Sequence, residues 1–278
     1  MQSIQISETD QARFDSEGYL VVPAMVSLEW CGSLKAIAAS HLSELIAPVE
    51  YEVDVHYPGA PIDEHAAGAS TSRRLLQAYA RHEEFRAWAT SDAVRTVLEG
   101  LFARPQTESN AEVRPESRSE DRTIKLSQCH HNCVMTKAPG FSSATLWHED
   151  NRYWSFDTES LISVWLALGA ENKKNGCLRV IPGSHQLQLE PGRFDAAKFL
   201  RPDLPENKAL ISKAISVELN PGDVLFFHSK LFHAAGRNLT DQTKFSVVFT
   251  YHEAGNRPIA GTRSAKFPSI GLQPLARK

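Results

Sequence analysis

Strict two-residue alternation near the end of the chain constrains the fold most. In Lys244-Phe-Ser-Val-Val-Phe-Thr-Tyr251, Phe245, Val247, Phe249 and Tyr251 fall on one face and Lys244, Ser246, Val248 and Thr250 on the other. Successive side chains of an extended strand point to opposite faces, so this segment must separate an apolar layer from a mixed one. Leu161–Leu168 repeats the pattern, with Ile162, Val164, Leu166 and Leu168 set against Ser163, Trp165 and Ala167. The turn signals Asn175-Gly176, Pro182-Gly183 and Asn220-Pro-Gly-Asp223 punctuate the further apolar runs Cys177–Ile181, Ile215–Leu219 and Val224–Phe227. Short alternating strands joined by Gly/Pro turns predict an antiparallel sandwich or barrel.

The first hundred residues have a different texture. A short helix is expected from Ser7 to a glycine stop at Gly18, then a strand over Tyr19–Pro23. Ser27 is a candidate N-cap for a longer helix with a stripe of Leu28, Cys31, Leu34, Ala38, Leu42 and Leu45. Residues 49–72 read as irregular. Helical spacing returns at Arg73–Ala89 and again at Ser91–Phe102. Pro105–Arg122 is polar, charged and almost without apolar residues, and reads as a mobile loop. The expected organisation is one domain over residues 1–278: mainly helical support to 104, the polar loop over 105–122, a β core over 123–255 and a tail over 256–278.

Composition excludes several function classes. With 42% hydrophobic and 23% charged residues and a net charge of −3, the chain is an ordinary globular one without a global basic field for nucleic acid. No apolar run approaches the length of a membrane span, and the first ten residues lack the pattern of a signal peptide. Cys31, Cys129, Cys133 and Cys177 form no disulfide-like framework, so a reduced, cytoplasmic protein is expected.

The chemistry-bearing stretch is Thr145-Leu-Trp-His148-Glu-Asp150-Asn-Arg-Tyr-Trp154. On extended backbone His148 and Asp150 share a face, so an imidazole and a carboxylate can converge on one ion. One more histidine would complete the two-histidine, one-carboxylate set that leaves positions open on non-haem Fe(II). His185, His228, His233 and His252 are the candidates; His228 and His233 both follow the apolar run Val224–Phe227, and spacing does not choose between them. Cys129-His-His-Asn-Cys133 has the look of a zinc half-site but lacks a second ligand pair.

Several of these segments occur in an order that resembles a known family. His148-Glu-Asp150, Ser163–Leu168, Asn175–His185, Pro221–His228 and Leu231-Phe-His233, preceded by Phe14–Pro23, are similar to the phytanoyl-CoA dioxygenase family of Fe(II)- and 2-oxoglutarate-dependent oxygenases. The resemblance is specific over about residues 130–251 and silent over about 49–122. It implies a mainly β fold with flanking helices: a double-stranded β-helix, the cupin-like jelly roll, covered by N-terminal helices. It implies His148, Asp150 and His233 as catalytic metal ligands, leaving His228 on the rim. It further implies Fe2+, 2-oxoglutarate and O2 as the reactants, a small organic substrate hydroxylated at a C–H bond, and release of succinate and CO2. Lys137, Cys133 and Trp165 are the implied cavity residues, and Trp147, Tyr153 and Trp154 flank the metal pair.

The chain departs from the family at Lys244, where an arginine usually holds the distal carboxylate of 2-oxoglutarate. Lysine offers a point charge in place of a bidentate fork. Lys244, assisted by Ser246 on the same strand face, is the expected anchor, and Arg237 is its rival. Two alternatives stand beside this reading: a cupin-like metal enzyme that does not use 2-oxoglutarate, and a non-catalytic small-molecule binder. The basic residues Arg257, Arg263, Lys266, Arg277 and Lys278 read as a solvated tail.

Overall fold

A computed structural model describes residues 5–55, 60–103 and 121–272. The expected polar loop falls outside the described residues except for its last two positions, as do Arg277 and Lys278. Two antiparallel sheets face each other. The larger runs β1 (Tyr19–Val22), β10 (Val224–His228), β7 (Ile162–Ala167), β12 (Lys244–Glu253), β5 (Asn132–Lys137), β3 (Ser72–Leu76) and β2 (Val49–Tyr51), with β4 (Ile124–Leu126) and β13 (Ile270–Gly271) attached beside β12. The smaller runs β6 (Thr145–His148), β11 (His233–Ala235), β8 (Leu178–Val180) and β9 (Ile215–Ser216). This is the jelly roll that the alternation and the resemblance together lead one to expect.

The two faces of β12 and β7 divide the molecule as their alternation requires. Val164, Leu166, Phe226, Phe245, Val247, Phe249 and Tyr251 form one buried core with α2 (Leu28–Ser43), α4 (Glu83–Ala89) and α5 (Asp92–Phe102). Trp165, Ala167, Val248, Leu225, Phe227 and Cys133 form a second core between the sheets, closed by Leu178 and Val180 of the smaller one. Burying an apolar side chain contributes roughly 1.5–3 kcal/mol, so each face of the larger sheet is held by its own set of contacts.

Local signals explain most boundaries. Ser7 caps α1 (Glu8–Glu17) in a reciprocal capping box with Asp10, and Gly18 ends it at φ 81°. Ser27 and Ser91 cap α2 and α5 through their hydroxyls. The α2 stripe is narrower than its spacing suggests: Cys31, Leu34 and Ala38 are buried, whereas Leu28 and Leu45 are exposed.

The largest correction lies at 72–76. These residues form a strand, and helix begins only with α3 (Ala78–Arg81) and α4. Pairing with β5 and β2 on either side overrides their helical spacing. With β1 and β2, the segment before residue 104 therefore supplies three strands of the larger sheet as well as its helical cover. Val49–Tyr51 is likewise a strand within the stretch expected to be irregular.

One glycine is required by its surroundings. Gly222, in the turn before β10, sits at φ +88°, and a Cβ there would stand 2.3 Å from the Val26 carbonyl oxygen. Its own carbonyl accepts the Val26 N–H at 3.1 Å, tying the loop after β1 to the turn. Gly222→Ala is expected to cost about 2 kcal/mol or more from backbone strain and this contact, read as a lower urea midpoint at unchanged slope.

Candidate metal centre and the cavity behind it

β6 and β11 pair with His148 directly opposite His233, and their ring centroids stand 4.2 Å apart. Glu149 is extended (φ −109°, ψ 147°), so Asp150 returns to the face of His148 before a short 3-10 turn, Asp150–Tyr153, carries the chain away. All three side chains are buried, with Asp150 fully so. Asp150 Oδ1 lies 3.9 Å from His148 Nε2 and 3.7 Å from His233 Nε2.

The hydrogen bonds fix what these atoms present. His148 Nδ1 stands 2.7 Å from the Leu146 carbonyl oxygen and His233 Nδ1 2.9 Å from that of Leu231. Each Nδ1 therefore carries the proton, by the logic of its acceptor, and each Nε2 turns a bare lone pair inward. Burial, and then the neighbouring His233, holds His148 well below the usual imidazole range. Asp150 Oδ1 has no hydrogen-bond partner. Two lone pairs and an orphaned carboxylate oxygen aimed at one point repel each other unless a cation lies between them. The donor set fits non-haem Fe(II), with ring N–H groups tied as ligand histidines require. Among the described residues, no other histidine, cysteine or carboxylate group converges in this way.

The other histidine candidates are accounted for elsewhere. His228 accepts from the Lys230 N–H at 3.1 Å and packs against His185 at 5.3 Å. His252 contacts Ser269. The Cys129–Cys133 run makes no zinc site: Cys129 meets the Phe267 backbone, whereas Cys133 faces the inter-sheet core, where burial pushes its thiol up to about 12.

That same run holds a residue the sequence reasoning missed. His131 Nδ1 lies 3.4 Å from Asp150 Oδ2 and 3.2 Å from Ser163 Oγ, which itself donates to Oδ2 at 3.2 Å. His131 and Ser163 thus occupy one carboxylate oxygen and leave the other for the metal. Burial, outweighing the attraction of Asp150, lowers His131 to about 4. The positive φ of 26° at His131 aims the ring inward, a conformation that no periodicity reveals.

The aromatic neighbours divide. Tyr153 and Phe199 stand edge-on to His148 at 6.3 and 5.8 Å, and Trp154 edge-on to His131 at 5.4 Å. Trp147, expected to flank the metal pair, faces away from it, packed with Ile181, Leu200 and Phe232 on the outer side of the smaller sheet. Trp147 and His148 are consecutive on the strand, so alternation puts them on opposite faces.

Behind the metal ligands, the inner face of the larger sheet carries Trp165, Cys133, Ser246, Lys137 and Lys244, all expected cavity residues. Lys137 and Lys244 are direct cross-strand partners. Lys137 Nζ donates to the carbonyls of Ser143, at 3.1 Å, and Gly236. Burial, with Arg73 and Lys244 nearby, lowers it to about 7. Lys244 is buried, and its ammonium is already engaged, donating to Glu171 Oε2 at 2.8 Å. The other oxygen, Oε1, accepts from Ser246 Oγ at 2.6 Å and Trp165 Nε1 at 2.9 Å. Glu171 had no sequence signal, since it lies in the loop after β7. The rival Arg237 is exposed, on the edge of a surface cleft of about 300 Å³.

Comparisons with known proteins agree with this architecture. The chain matches the family described as phytanoyl-CoA dioxygenase (PhyH) over residues 14–246. It is 30% identical over 111 residues to phytanoyl-CoA dioxygenase 1 of Oryza sativa subsp. japonica, covering 40% of each chain. It is 33% identical over 125 residues to dioxygenase lolE1 of Epichloe uncinata, covering 44% of each. The chain thus spans about two fifths of the length of the curated relatives it matches. Among solved structures, the epimerase SnoN in complex with Fe3+, alpha ketoglutarate and nogalamycin RO superposes with a TM-score of 0.69 at 22% identity, over 97% of this chain and 93% of that one. EctD from S. alaskensis with bound Fe gives 0.70 at 18%, over 95% and 82%. At these identities the structures speak for the fold. Among the described residues, no helix is long and apolar enough to cross a membrane.

Proposed function

We infer that this protein, which belongs to the phytanoyl-CoA dioxygenase family, is an Fe(II)- and 2-oxoglutarate-dependent oxygenase that hydroxylates a C–H bond of a small organic substrate. The observation that carries the reading is the orphaned Asp150 Oδ1 facing two bare histidine Nε2 atoms. His148, Asp150 and His233 would hold the iron, which when bound with the oxo acid supplies the activation of O2.

This chain's residues have the remaining tasks. Ser163 and His131 fix the Asp150 carboxylate so that one oxygen points at the metal. Val248, Phe227 and Trp165 keep water from the space behind it. Tyr153, Phe199 and Trp154 border the ligands and would shape the substrate's approach. Relatives whose names specify a dioxygenase, and neighbours crystallised with alpha ketoglutarate or 2-oxoglutarate, support the co-substrate. Its distal carboxylate would lie at the Lys137–Lys244 end.

This arrangement makes co-substrate binding depend on pH. The groups around Lys137 are Arg73, which is paired with Glu52 at 3.1 Å, and Lys244, which is paired with Glu171. Free Lys137 titrates at about 7, and an arriving carboxylate favours its charged form and raises that value. Binding therefore takes up a proton. Affinity is full below about pH 7 and declines as pH rises through the higher value of the complex. Calorimetry of 2-oxoglutarate with Fe(II)-loaded protein under anaerobic conditions tests both points. Binding that tightens with rising pH would remove Lys137 from the site, and no binding at any pH would overturn the 2-oxoglutarate reading.

A further inference from the structure

Glu171 places a carboxylate where the proposed co-substrate would deliver one. Both of its oxygens are occupied, by Lys244, Ser246 and Trp165, and the residue is 2% exposed. Its backbone is clamped in both directions to Leu219, with Glu171 N–H donating at 2.8 Å and Leu219 N–H at 3.0 Å. The side chain is thus delivered by a fixed bridge between the β7–β8 and β9–β10 connections rather than by a free loop. The Lys244 ammonium also lies 5.1 Å from the Trp165 ring centroid, with Ser246 Oγ at 3.5 Å. Its charge is neutralised before any ligand arrives.

Resting on the 2-oxo-acid reading above, we propose that Glu171 is a specificity-determining residue: a resident carboxylate that holds Lys244 and weakens the site's preference for an oxo acid ending in a second carboxylate. A dicarboxylate arriving here meets Glu171 as a like charge in a buried setting, with Lys137 as the cross-strand cation beside Lys244. An oxo acid of the same length ending in a methyl group meets no such opposition. The chain keeps the polar end of its cavity but fills the cation there from within, so the site accepts 2-oxo acids on the strength of their metal-binding head more than of their tail.

The test compares two probes on Mn(II)-loaded protein by calorimetry: 2-oxoglutarate, and 2-oxopentanoate, which carries a methyl group in place of the distal carboxylate. Glu171→Gln keeps the hydrogen-bonding shape and removes the charge. It is expected to shift the affinity ratio toward 2-oxoglutarate by about tenfold or more, the scale of one removed like-charge contact, while affinity for 2-oxopentanoate stays within about twofold. An unchanged ratio, or one that moves against 2-oxoglutarate, would overturn the proposal and leave Glu171 as a positioning residue.

Should Glu171→Gln fail to fold, the pair can be removed together as Glu171→Met with Lys244→Met, since an apolar replacement of a buried ion pair is tolerated. If Glu171 already cancels Lys244, that double variant keeps the wild-type ratio within about threefold. A drop of about a hundredfold against 2-oxoglutarate would show that Lys244 was free to anchor it, and the proposal fails. If neither acid binds wild-type or variant protein that does hold Mn(II), the 2-oxo-acid reading itself falls, and this proposal with it.

Discussion

His233→Ala is expected to lower Fe(II) affinity by about a hundredfold or more, because even the outer partners of metal ligands carry about 10–100-fold. His228→Ala should leave iron content unchanged. The two histidines are near neighbours in sequence: His228 ends β10 and His233 opens β11. They differ in what their ring atoms face: His233 Nε2 faces Asp150 at 3.7 Å, whereas His228 accepts a backbone N–H and packs on His185. Burial, with His185 and Lys230 nearby, holds His228 down at about 3, so it is neutral across the physiological range and its loss removes no charge. Anaerobic loading followed by metal analysis decides. Iron lost from His228→Ala and kept by His233→Ala would reverse the ligand assignment.

The second large effect falls on stability. Lys244→Ala leaves the Glu171 carboxylate buried without its cation, and breaking one side of such a pair costs about 3–5 kcal/mol. Ser246 and Trp165 still donate to that carboxylate but do not cancel its charge. Denaturant unfolding of the metal-free protein should therefore show a large loss for Lys244→Ala and a much smaller one when Glu171→Met accompanies Lys244→Met. Equal losses in the two variants would mean that the unpaired Glu171 charge does not set the cost. Lys244 thus has a structural duty that its place on the strand did not disclose.

The contrast between what was legible and what was not follows from the range of each interaction. Alternation at Leu161–Leu168 and Lys244–Tyr251 is a local consequence of strand geometry, and it sorted inner from outer faces correctly. Helix caps at Ser7, Ser27 and Ser91 are also local, each formed within three residues. His148 and Asp150 could be paired because two residues of extended chain bring them together. The strand at 72–76 was missed because its identity depends on neighbours distant in sequence, β5 above all. Glu171 and His131 share that dependence. Each is set by what packs against it, or by a backbone angle at a single position, and neither leaves a period in the sequence.

The direct pairing of β6 with β11 also has a consequence during synthesis. A nascent chain that has emerged past residue 150 displays His148 and Asp150 but lacks the strand that bears His233, and it lacks β10 and β12, which wall the space behind the metal ligands. The ligand set closes only when the C-terminal strands arrive and insert between those already made. An iron ion at this site would therefore be gripped at about the moment its surroundings become able to contain it.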